Sequence, residues 1–144
     1  MKLNGKKGEH KKSNARESAH ILWFEEIGIT DIPLVGGKNA SLGEMYTGLK
    51  SKNIAVPNGF AITAKAYWDF FEAHGLDKII KKEIKGLNVL KIKDLNRVGK
   101  RVRSLIINAE FPENLKKEII DSYESLKKQE KTTHLSVAVR SSAT

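Results

Sequence analysis

The stretch Val35-Gly-Gly-Lys-Asn-Ala-Ser-Leu-Gly-Glu-Met45 holds the residue types and spacing best suited to chemistry. Gly36 and Gly37 can take backbone conformations that side chains disfavour, so the main chain can turn sharply and come close to a ligand. Lys38 stands at that turn. Behind it, Ser41 and Glu44 have the Ser-x-x-Glu spacing of a capping box, with Leu42, Met45 and Leu49 at helical intervals, so a helix is expected from near Asn39. The first turn of a helix presents unpaired amides and a positive dipole end, and a neighbouring lysine adds a mobile cation. Anion binding, and phosphate binding in particular, is the chemistry this pattern predicts. It is neither a Walker loop, because Asn39 follows the lysine, nor a Gly-x-Gly-x-x-Gly dinucleotide fingerprint.

A second cation lies near the other end. Leu135-Ser-Val-Ala-Val139 alternates in the manner of a short strand and runs into Arg140-Ser-Ser-Ala-Thr144. An arginine at a strand end offers a fixed fork of donors for an oxyanion. The four histidines, His10, His20, His74 and His134, have no metal-ligand spacing, and none is read as catalytic.

The elements that must position Lys38 and Arg140 follow from periodicity. Ile21 to Ile27, with Leu22, Trp23 and Phe24, is the first packed element, a short strand or a turn of helix. The helix from Asn39 is expected to last to about Lys52, with Asn53 ending it. Pro57, Asn58 and Gly59 make a turn before a short strand at Phe60 to Ile62, and Thr63 is placed to cap the next helix. Tyr67, Phe70 and Phe71 form an aromatic core stripe that ends at Gly75. Ile79, Ile80 and Ile84 are expected inward on a helix closed by Gly86. Two further helices carry Leu95, Val98, Val102, Leu105 and Ile106, and then, after Pro112, Leu115, Ile119, Tyr123 and Leu126. The fold class is α+β, helix-rich, with a small sheet carrying Phe60 to Ile62 and Ser136 to Val139.

Composition sets the frame. At 144 residues, 40% hydrophobic and 30% charged, the chain has the size and balance of one globular domain, able to bury about 70% of the surface its unfolded form exposes. It has no transmembrane run and no cysteine, which excludes disulfides and zinc-thiolate sites and favours a cytoplasmic setting. The net charge of +9 raises nucleic acid as a partner. Against it, Lys2, Lys6, Lys7, Lys11, Lys12 and Arg16 cluster in a polar segment, residues 1–20, expected to be a flexible basic tail, and the remaining lysines sit among acids with no interleaved aromatics.

Three motifs in order, Val35 to Met45, Val56-Pro-Asn-Gly-Phe-Ala-Ile-Thr63 and Ser136-Val-Ala-Val-Arg-Ser-Ser-Ala-Thr144, resemble the N-terminal nucleotide-binding domain of the phosphoenolpyruvate synthase (pyruvate, water dikinase) family. The resemblance runs from about Ile21 to Thr144. Asn39 after the lysine and Ser142 after Arg140-Ser141 favour the synthases over the pyruvate, phosphate dikinases, with rifampicin phosphotransferases as a related alternative. It implies an incomplete ATP-grasp domain over residues 21–144, ATP and Mg2+ as ligands, and ATP-phosphate contacts at Lys38, Arg140, Gly36 and Gly37. It also implies that a phosphohistidine on a separate domain serves pyruvate, giving phosphoenolpyruvate, AMP and phosphate. No catalytic or metal-binding residue is assigned within the chain, so the rest of the ATP-grasp unit, the histidine domain and the pyruvate domain are expected in cis or in trans, and the chain alone is expected to be inactive. A basic interaction module without catalysis is the competing class.

Overall fold

A computed structural model describes residues 15–144, and the first fourteen residues of the expected basic tail lie outside that range. β-branched and aromatic residues make two short strands, β1 (Ile21–Trp23) and β2 (Phe60–Ile62), which pair antiparallel with Leu22 opposite Ala61 and Trp23 opposite Phe60. The last pair places its rings edge to face at 5.5 Å. Single turns of 3-10 helix at Phe24–Glu26 and Ile29–Asp31 lead from β1 into α1 (Ile32–Lys50). Further helices are α2 (Ala64–Ala73), α3 (Leu76–Ile84), α4 (Ile92–Ile107) and α5 (Glu113–Gln129). The α+β, helix-rich class with a small sheet holds. The sheet partner expected for β2 does not: Ser136 to Val139 forms no strand, and β1 takes that place.

The chain divides into two compact units, one made of the residues up to Tyr67 together with Asn114–Thr144, the other Trp68–Glu113. In the first, Leu22, Ile27, Val35, Ala40 and Ala61 form the buried cluster between the strand pair and α1. Gly43 lets the helix come this close, since a Cβ there would overlap the Ile27 backbone. Thr63, buried, accepts the Ala66 amide at 3.3 Å and donates to the Ala19 carbonyl at 2.7 Å, the predicted cap of α2. Asn53 takes a left-handed conformation (φ 57°) and the Ile54 amide returns to the Leu49 carbonyl, so α1 stops where the sequence indicated. Arg16 binds the Asp31 carboxylate at 2.7 Å and the Glu26 carbonyl at 2.6 Å. On α5, Leu115 and Leu126 are buried, and the Tyr123 hydroxyl donates to the Leu135 carbonyl.

In the second unit, Phe70 lies 6.0 Å from Phe71 and 5.4 Å from Phe111, Leu76 and Val98 are buried, and Arg101 joins Glu83 at 2.8 Å. Gly75 and Gly86, both with positive φ, bound α3 as expected. Several residues assigned inward are not. Ile79, Ile84 and Leu95 are on the surface, and so is Tyr67, 50% exposed at the boundary of the first unit. The buried face of α2 runs through Ala66, Phe70 and Phe71, which leaves Tyr67 off it.

Candidate phosphate-binding turn

The turn begins earlier than the spacing predicted. Pro33 sits in the first turn of α1, a position where its fixed φ and missing N–H are tolerated, and helix is already present from Ile32. Upstream, the Asp31 carboxylate accepts the Gly28 amide at 2.8 Å, which steadies the entry. Gly36 then breaks the helix with φ 77° and ψ 161°, a combination nearly confined to glycine, and the helix resumes at once. Ser41 and Glu44 therefore lie inside the helix and do not cap it. The Glu44 carboxylate instead accepts the Ile29 amide at 2.8 Å and pins the preceding loop. Only one of the two glycines has the backbone freedom expected of both. Gly37 is helical, and a Cβ there would meet open space.

The segment after Val139 returns to this turn. The Lys38 ammonium donates to the Ser141 carbonyl at 3.3 Å, and the Asn39 amide donates to the Ser142 hydroxyl at 3.4 Å. Gly36 is buried beneath the same segment, and a Cβ on it would overlap the Ser142 hydroxyl and the Ala143 carbonyl. The Asn39 side chain spans the break by donating to the Val35 carbonyl at 2.9 Å. The first and third sequence motifs, more than a hundred residues apart, thus meet at Gly36, Lys38 and Asn39 on one side and Ser141 to Ala143 on the other.

Lys38 and Arg140 are both exposed, and neither is paired with a carboxylate among the described residues. Lys38 stands beside the restarted end of the helix, and Arg140 directly precedes the residue whose carbonyl Lys38 contacts; an ammonium meets an anion as a point charge and a guanidinium as a planar fork. Ser142 and Asn39 were not singled out for this site by composition or spacing. A hydroxyl that reaches an amide from a distant segment leaves no local signal, and Asn39 was visible only as the residue following the lysine.

Elsewhere, His20 Nδ1 lies 3.0 Å from a Glu118 carboxylate oxygen and His74 Nε2 2.6 Å from the Glu110 carbonyl; His10 falls outside the described residues. Among the described residues no three His, Asp or Glu side chains gather as a metal site, and no helix is long and apolar enough to cross a membrane.

Residues 32–144 match the family described as pyruvate phosphate dikinase, AMP/ATP-binding domain. The chain is similar to phosphoenolpyruvate synthases of Aquifex aeolicus (45% identity over 90% of this chain and 15% of the relative), Neisseria meningitidis serogroup B (44%, 87% and 16%) and a Synechocystis strain (44%, 90% and 16%). It spans only about 15% of the length of such relatives. The match takes in both the glycine turn and the segment that docks on it, and the chain belongs to the pyruvate phosphate dikinase AMP/ATP-binding domain family.

Proposed function

We propose that this chain supplies part of the ATP site of a phosphoenolpyruvate synthase, with Lys38, Arg140 and Gly37 facing the nucleotide phosphates and Gly36, covered by Ser142 and Ala143, shaping the turn. Residues 21–144 are the N-terminal portion of an ATP-grasp domain, and Arg16, Ala19 and His20 before them are bonded to it. The observation that carries this reading is the docking of Ser141 to Ala143 on the Gly36 turn, which joins the two cation-bearing motifs. Lys38 offsets charge on the polyphosphate, Arg140 grips its oxygens, and the amides of Gly37 and Lys38 add the helix-terminal field.

The described residues do not form a magnesium site of their own. Mg2+ arrives in this account on the nucleotide's phosphates. The full reaction converts ATP, pyruvate and water to phosphoenolpyruvate, AMP and phosphate, and needs the rest of the ATP-grasp unit, the histidine domain and the pyruvate domain in cis or trans, in the cytoplasm.

Isothermal titration of the chain with Mg-ATP at low and moderate salt, beside a single-stranded oligonucleotide, tests the reading. Saturable ATP binding is expected, weakened about tenfold or more in Lys38→Ala and in Arg140→Ala, as for loss of a charge-assisted hydrogen bond. Unchanged affinity in both variants would sink the site assignment. Salt-sensitive oligonucleotide binding without ATP binding would favour the basic module instead.

A further inference from the structure

The helix downstream of Gly36 lacks an ordinary cap, because the residue at the capping position is Gly36 itself. In a serine or threonine N-cap, a hydroxyl carried on the Cβ accepts the amide two or three residues on. Three residues on from Gly36 is Asn39, and its amide is met by the hydroxyl of Ser142 at 3.4 Å. That hydroxyl occupies the space a Gly36 Cβ would fill. Ser142 therefore brings from a distant segment the group that Gly36 does not have, and the missing side chain is what admits it. Asn39 completes the arrangement through its side-chain bond to the Val35 carbonyl.

Little else holds this part of the segment. Tyr123 fixes the Leu135 carbonyl, but Val137 and Val139 are 48% and 91% exposed, and no strand pairs with them among the described residues. Arg140 is carried between that loose stretch and the contact at Ser142. Building on the nucleotide reading above, we infer that Ser142 is a positioning residue: its hydroxyl caps the helix after Gly36 in place of a Gly36 side chain, and so sets Arg140 beside Lys38 for a nucleotide phosphate. The Ser141 carbonyl, bonded to the Lys38 ammonium, lies between Arg140 and Ser142 and holds the same register.

Amide hydrogen exchange and relaxation of the whole chain by NMR, first without nucleotide and then titrated with Mg-ATP, test the inference. In Ser142→Ala, exchange at Asn39 rises about fivefold, the scale of a lost N-cap. The Arg140 amide becomes more mobile, and the Mg-ATP dissociation constant rises several-fold. Ser142→Thr keeps the hydroxyl and restores all three. Unchanged exchange at Asn39 in Ser142→Ala overturns the cap. Faster exchange with unchanged Mg-ATP affinity, while Lys38→Ala loses binding, overturns the positioning role. Absence of Mg-ATP binding in the unsubstituted chain defeats the nucleotide reading alone, and the Asn39 and Arg140 comparisons still decide the cap.

Discussion

The Gly36 turn and the Leu135 to Val139 stretch both looked, in sequence, like backbone devices for presenting a cation, yet only the first takes the form expected of it. At Gly36 the chain is held by its own conformation, by the Asn39 side chain across the break, and by a segment packed where a side chain would be. At Leu135 to Val139 the alternation of β-branched residues is present, but no strand lies alongside among the described residues, and Val139 is 91% exposed. A glycine turn is specified by residues a few positions apart. A strand is specified by its neighbour, and periodicity does not say where the neighbour is.

The sharpest way to break this contrast is Gly36→Ala. An alanine there must hold a positive φ and displace Ser142 and Ala143, so unfolding free energy in urea should fall by more than about 2 kcal/mol. A loss below about 0.5 kcal/mol would mean the turn is not held as described. Gly37→Ala, one residue later, should have the opposite sign, because the site is helical and open: a gain of up to about 1 kcal/mol is expected in the same assay. Destabilisation there would show that Gly37 shares the constraint on Gly36. At the other region, Val139→Thr should change stability by less than about 0.5 kcal/mol, since an exposed side chain leaves no cavity and unpairs nothing. A larger loss would place Val139 in packing that the described residues do not provide.

How much could be read beforehand follows the same division. Short-range signals succeeded: the Phe60 to Ile62 strand, the Thr63 cap, the Asn53 stop, and the glycines on either side of α3 each depend on residues within one turn. The helix after Gly36 starts close to the expected Asn39, although Ser41 and Glu44 do not cap it; the helical turn before Gly36, begun by Pro33 and the Asp31 reach-back, left no such signal. Tyr67 was assigned to the core because its spacing matches the stripe, and only the choice of buried face puts Ala66, Phe70 and Phe71 inside without it. In the site, Lys38 and Gly36 stand out by residue type. The contact between Asn39 and Ser142 is a long-range hydrogen bond between two common polar residues, and nothing local announces it.

In the proposed site, the Gly36 turn and the segment beginning at Arg140 act as one phosphate-binding surface. The most direct test is amide chemical-shift mapping of the chain titrated with Mg-ATP. Saturable, concerted shifts are expected at Gly36 to Asn39 and at Arg140 to Ser142, reduced together in Lys38→Ala. Shifts confined to one of these stretches, or located elsewhere and unaffected by Lys38→Ala, would contradict it.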